Sequence, residues 1–217
     1  MVREKVKKPR SNLASMGVYI FKKELLYSWL KTTTDHDFGN HIFPKMVSKA
    51  RIFTYAFEGY WRDIGTVASY WQTNMDMISM PLSFLYDAKW TIHTQETEKP
   101  PSRISETANV VDCLLSSGCA IEGHVEHSVL SPGVRIARGA VVRDSVIMHG
   151  AVIGRDSVVE RAILDEGVTI GEGCNIGYGS DYQTSRQRPR ITTSGLTLIS
   201  KNTKIRSGVT IGRNLIV

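Results

Sequence analysis

Apolar side chains in the second half of the chain recur on a fixed step. Val125, Val142 and Val159 stand seventeen residues apart. The same spacing holds for Leu130, Ile147 and Leu164, for Ile136, Ile153 and Ile170, and for Gly133, Gly150 and Gly167. Within a unit the aliphatics recur about every six residues, as in Leu130, Ile136 and Val142, and that step returns at Ile199, Ile205, Ile211 and Val217. A short period of this kind builds stacked coils, each burying one aliphatic side chain per face against its neighbours. Three faces of six residues would make eighteen, so seventeen predicts one corner shortened by a residue. Residues 108–217 are therefore read as a parallel β-helix of the hexapeptide type. A β-sandwich of period-two strands would not hold glycines and aliphatics in register through three copies. Residues 177–196 carry Gly, Ser, Tyr, Gln and Arg without the six-step, and read as a loop thrown out from a corner.

The first half follows other periods. Val18 to Phe21 and Ile52 to Phe57 are β-rich runs, read as strands. Leu25, Leu26, Trp29 and Leu30 fall at helical spacing across Lys23 to Lys31. Asp37 is an N-cap for a second helix carrying Ile42, Phe43, Met46 and Val47, whose start Pro44 restricts. Thr66 caps a third, with Tyr70, Met77 and Ile78 on one side. Residues 1–79 thus form a mixed α/β part. Residues 80–107, with Pro81, Pro100, Pro101 and the polar run Thr94 to Lys99, form a connector.

Composition narrows the picture. The chain has 217 residues, enough for one large or two modest domains. No apolar run reaches eighteen residues, and Met1 to Pro9 is charged, so a cytoplasmic protein with no membrane role is expected. Cys113, Cys119 and Cys174 lack metal or disulfide spacing and read as small core residues. The net charge of +6 gathers at Lys5, Lys7, Lys8 and Arg10, and again at Arg186, Arg188 and Arg190. No aromatics interleave with the late arginines and no nucleic-acid motif is present, so phosphorylated small molecules are the better match. His93, His124, His127 and His149 show no ligand spacing and read as surface residues. Trp61, Trp71 and Trp90 read as packing residues.

Several blocks in order resemble a known family. Glu4-Lys5, Pro9 and Ser11-Asn12-Leu13-Ala14-Ser15-Met16-Gly17-Val18-Tyr19 resemble the central segment of bacterial glucose-1-phosphate adenylyltransferases, the ADP-glucose pyrophosphorylases. Asp37-Phe38-Gly39, and then Gly59-Tyr60-Trp61-Arg62-Asp63-Ile64-Gly65-Thr66, resemble later blocks of that family, and the likeness runs on to Ile211-Gly212-Arg213-Asn214. The W-x-D-x-G-T-like stretch is shared widely among sugar nucleotidyltransferases. Its combination with L-A-S-M-G-x-Y and an attached coil is specific.

The resemblance implies a Rossmann-like nucleotidyltransferase domain followed by a left-handed parallel β-helix. The reaction it implies joins ATP and glucose 1-phosphate into ADP-glucose and pyrophosphate with Mg²⁺, for glycogen synthesis. No G-x-x-x-x-G-K or G-x-G-x-x-G loop occurs in these residues, so the chain is read as the C-terminal portion of such an enzyme, inactive alone. Asp63 matches a Mg²⁺-binding aspartate, the catalytic and metal-ligating candidate, with Gly59 and Gly65 expected to turn the backbone around it. Lys5 matches the lysine facing the sugar phosphate, and Glu4 and Ser15 match residues that hydrogen-bond sugar hydroxyls. Val6 departs from the family's usual Pro. An anionic metabolite effector and a homo- or heterotetramer are also implied, with Arg186, Arg188 and Arg190 as effector candidates. A noncatalytic regulatory subunit, a hexapeptide acyltransferase or a bifunctional enzyme remain alternatives at this point.

Overall fold

A computed structural model describes residues 13–80, 83–94, 98–180 and 194–217. The chain divides into two compact units, Met1–Trp61 and Arg62–Val217.

In the first unit, helix α1 spans Lys23–Thr32. Asp37 caps the second helical segment as expected, its carboxylate accepting the Asn40 N–H at 2.8 Å. The segment opens with a π turn, Phe38–Ile42, before helix α2, Phe43–Met46, with Pro44 in the first turn where no intrahelical donor is needed. Ile42 and Met46 are buried, and the rings of Tyr19, Phe21, Phe38 and Phe43 pack within 4.6–6.3 Å of one another. Two carboxyls in this region sit below the usual carboxylate range. For Asp35 the main cause is the hydrogen bond from Lys45, and for Asp37 it is the Asn40 backbone N–H. A lowered carboxyl adds stability that is complete above the unfolded value, about pH 4, and is lost as pH falls through the folded one. Near-ultraviolet dichroism of the aromatic cluster is therefore expected to hold steady down to about pH 4 and to decay only below it. Decay already at pH 5–6 would contradict this assignment.

The two β-rich runs do not form strands. Val18 to Phe21 and Ile52 to Phe57 have no regular secondary structure, and Val18, Ile20, Phe53 and Tyr55 are exposed. Propensity supplies the backbone shape, but a strand exists only where a neighbour accepts its hydrogen bonds. Among the described residues none does.

In the second unit the coil is as the period predicts. Three parallel sheets stack coil on coil, with one register shift, between Ile176 and Tyr178 in the second sheet. The first contains Arg103–Ile104, Ala120–Ile121, Arg135–Ile136, Val152–Ile153, Thr169–Ile170 and Lys204–Ile205. The second runs from Asn109–Val111 to Thr210–Gly212, and the third from Leu114–Leu115 to Thr197–Ile199. Pairing begins at Arg103, a few residues ahead of the first aliphatic repeat. Ile136, Val142, Ile147, Ile153, Val159, Leu164 and Ile170 all point inward at 0–1% exposure. Each such side chain contributes about 1.5–3 kcal/mol relative to an exposed one. Cys119 and Cys174 are buried in the same interior and Cys113 borders it, its thiol pushed up chiefly by burial.

The short corner lies between the second and third sheets, where Val142 to Ile147 is a five-residue step. A single left-handed residue turns it in each coil: Asp112, His127, Asp144 and Arg161, at φ 43–47°. Ser128 and Ser145 follow, fully buried, and their hydroxyls accept the Ser145 and Ala162 N–H of the next coil at 3.1 Å. The tight corner thereby satisfies its own buried amides.

Helix α3, Val67–Ser79, is capped by Thr66 in a capping box with Ser69. It packs against the outside of the third sheet. Met75 is buried there with Val146 and Ile163, flanked by Trp71, Ile78, Val129, Met148 and Leu198. Trp71 donates its indole N–H to the Asp144 carbonyl at 2.7 Å, and the Arg161 guanidinium lies 4.9 Å from the Trp71 ring centre. The packing expectation holds for Trp71, whereas Trp90 is 81% exposed and Trp61 44%.

Candidate functional site

The sequence candidates fall in different places. Glu4, Lys5, Arg186, Arg188 and Arg190 lie outside the described residues. Ser15 is in the first unit and Asp63 in the second.

Ser15 is exposed at the start of a tight turn. Its hydroxyl oxygen accepts the Gly17 N–H at 3.2 Å and lies 3.1 Å from the Tyr19 hydroxyl. Gly17 has φ +72°, a left-handed conformation that favours glycine. The S-M-G-x-Y spacing therefore has a local cause: the turn needs the glycine, the serine closes it, and the tyrosine ring anchors it in the aromatic cluster. The Ser15 hydroxyl remains at the surface, where a polyol could use it as donor and acceptor.

Asp63 is exposed and sits three residues before the N-cap of α3. The cap itself is Thr66, whose hydroxyl accepts the Ser69 N–H at 3.1 Å. Asp63 does not cap the helix; its exposed carboxylate closes a turn, Oδ1 accepting the Gly65 N–H at 2.9 Å. Neither Gly59 nor Gly65 takes left-handed backbone, and the turn at Gly65 is closed by the Asp63 side chain. A Cβ on Gly65 would stand 3.1 Å from that carboxylate oxygen. Absence of a side chain at Gly65 therefore protects the Asp63 pose.

The residue following Trp61 is held as well. Arg62 pairs with Asp76 of α3 at 3.0 Å, and Gln72 donates to the same carboxylate at 3.0 Å. Asp76 is 7% exposed, the least exposed acidic side chain described. Sequence reasoning missed this pair; the signal is the acid on the inner side of an amphipathic helix, where an unpaired charge would be costly.

No group of three or more His, Cys, Asp or Glu side chains gathers among the described residues. Mg²⁺ commonly takes only one or two protein carboxylates and completes its octahedron with phosphate oxygens and water, so the exposed Asp63 fits a shared site and not a closed one. A polar groove of about 350 Å³ at the first corner of the coil, lined by Arg103, Ser105, Glu106, Thr107, Glu122 and Arg138, contains none of the candidates. No helix among the described residues is long and apolar enough to cross a membrane.

His127 is a partly exposed residue at the coil surface, as expected, and it is held there. It sits in the tight corner with Nδ1 2.7 Å from Asp144 Oδ1 and Nε2 3.2 Å from the hydroxyl of Ser79, the last residue of α3. Both ring nitrogens are thus engaged between helix and coil.

Two family models match the chain in succession. Residues 1–80 match the nucleotidyl transferase family model, and residues 100–199 match the model described as GlmU-like, C-terminal hexapeptide. The chain is thus similar to nucleotidyltransferases that carry a hexapeptide coil. Its relatives over nearly the whole length are glucose-1-phosphate adenylyltransferases. The one from Fervidobacterium nodosum is 39% identical over 221 residues, covering 99% of this chain and 53% of the relative. Those from Thermomicrobium roseum and Thermotoga neapolitana are 46% and 44% identical, each over 99% of this chain and 52% of the relative. The chain spans about half the length of the curated relatives it matches.

Proposed function

We propose that the chain supplies the sugar-phosphate and metal-facing portion, with the β-helix, of a glucose-1-phosphate adenylyltransferase. In that reaction a phosphate oxygen of glucose 1-phosphate bonds to the α-phosphorus of ATP, the bond to the β-phosphate bridge breaks, and pyrophosphate leaves. The observation that carries the reading is Asp63. Its exposed carboxylate is held by the Gly65 N–H and is not consumed in capping a helix. A divalent ion bound there, Mg²⁺ by the chemistry of the donor, would neutralise charge on the reacting phosphates. Ser15 and Glu4 are proposed to orient the glucose hydroxyls, and Lys5 to hold its phosphate as a compact point charge.

The acyltransferase alternative finds no support at His127: a catalytic corner histidine needs a free ring nitrogen, and both of its nitrogens are taken by Asp144 and Ser79. Retention of Asp63 favours a catalytic over a regulatory subunit.

Two tests follow in an enzyme completed with the preceding portion of the Thermotoga neapolitana relative. Lys5→Ala is expected to weaken glucose 1-phosphate by about 10- to 100-fold with little change for ATP, as losing a charge-assisted contact of roughly 1.5–3 kcal/mol implies. Equal losses for both substrates in steady-state kinetics would reject that role. Arg186, Arg188 and Arg190 are proposed to fork onto an anionic effector. Replacing all three with Ala should raise the effector concentration for half-maximal activation and leave unactivated turnover unchanged. An unaltered activation curve would make the loop plain surface. A cytoplasmic homo- or heterotetramer completes the proposal.

A further inference from the structure

We propose that Asp76 is a positioning residue for Asp63, and that α3 is the strut through which the coil sets where Asp63 stands. Asp63 lies on a short segment with no regular structure before Thr66. Its local turn, closed by Gly65, fixes the carboxylate relative to its own backbone only. Two further contacts fix that backbone relative to the rest of the unit. On one side the Thr66–Ser69 capping box ties the segment to the first turn of α3. On the other, Arg62, next to Asp63 in the chain, reaches past that turn to the Asp76 carboxylate at 3.0 Å.

Asp76 is suited to this because it is itself immobilised. Its side chain is about one-tenth exposed, whereas that of Arg62 is 40% exposed, so the acid is the fixed end and the arginine the tethered one. Gln72, one turn earlier on α3, donates to the other carboxylate oxygen at 3.0 Å and leaves Oδ2 for Arg62. Met75, the adjacent residue, is the buried centre of the helix–coil contact. Along the same helix, Trp71 bonds the Asp144 carbonyl and Ser79 meets His127, so α3 is pinned to the tight corner at two heights of the stack. The path from coil to Asp63 thus runs through packed and hydrogen-bonded groups without a flexible link.

The assignment rests on the proposed role of Asp63, but its test does not. Backbone ¹⁵N order parameters of the 217-residue chain read the tether directly, with no substrate or metal present. In the unaltered chain Asp63, Ile64 and Gly65 should be near the rigid value of about 0.85. Asp76→Ala and Arg62→Ala should each drop these three residues below about 0.6. The double variant should go no lower, while residues 70–75 and the third sheet stay unchanged. Arg62→Ala alters a partly exposed side chain and keeps the assay informative should Asp76→Ala unfold. Unchanged order at residues 63–65 in either folded variant would overturn the proposal. So would an equal loss through α3 and the third sheet, which would make the pair a general stabiliser. Asp63→Asn kinetics judges the functional reading separately.

Discussion

Asp63→Asn, in an enzyme completed by the preceding portion of a relative, is expected to lower turnover by about 10²-fold or more while both substrates still bind. The substitution keeps the side-chain shape and the acceptor that Gly65 uses, so the turn survives. What is lost is the negative charge offered to a cation. Removing one main electrostatic stabiliser of a developing transition state costs about 10²–10³-fold, some 2.7–4 kcal/mol. Steady-state rates with saturating Mg²⁺, ATP and glucose 1-phosphate measure it. A variant with near-unaltered turnover would remove Asp63 from the site.

Leu164→Ala is expected to give the largest loss of stability, about 2–5 kcal/mol. Leu164 is fully buried in the coil interior, stacked between Ile147 below and Ile199 above in the third sheet. The neighbouring coils cannot collapse into the gap without breaking the register of all three sheets, so the cavity term adds to the lost transfer energy. Thr169→Ala, on the outward side of the first sheet, should stay within about 0.5 kcal/mol. Urea denaturation of both variants makes the comparison. A loss at Leu164 no larger than at Thr169 would contradict the stacked interior.

The coil was legible because its signal is one-dimensional. The inward column needs an aliphatic at each coil, and the corners need left-handed residues, so both periods are written into the chain. Even the short corner followed from seventeen standing where eighteen would close. The docking of α3 was also written there, but less plainly. On the third sheet the inward residue is preceded by a second apolar one: Leu114-Leu115, Val129-Leu130, Val146-Ile147, Ile163-Leu164 and Leu198-Ile199. On the first sheet the same position is mixed: Ala120 and Val152 are apolar, but Arg103, Arg135, Thr169 and Lys204 are polar. A sheet apolar on both sides must be covered on both sides, and that asymmetry names the face the helix takes.

Other features were not legible, for identifiable reasons. Val18–Phe21 and Ile52–Phe57 have strand composition, yet pairing depends on a neighbour that local sequence does not specify. The Arg62–Asp76 pair joins residues fourteen positions apart, and nothing in the repeat or in the quoted blocks links the two. At the site, the family resemblance pointed to Asp63 and Ser15. Which groups hold them, Gly65 for the one and Gly17 with Tyr19 for the other, required coordinates.

The most direct measurement is product formation from ATP, glucose 1-phosphate and Mg²⁺ in two preparations. One is the 217-residue chain, which contains no glycine-rich phosphate loop and, among its described residues, no cluster of three or more metal-ligating side chains. The other is that chain joined to the preceding portion of the Thermotoga neapolitana relative. The account predicts neither ADP-glucose nor pyrophosphate from the first, and both from the second in equal amounts. Product from the 217-residue chain alone would contradict it, as would a joined enzyme that folds, binds both substrates and releases none.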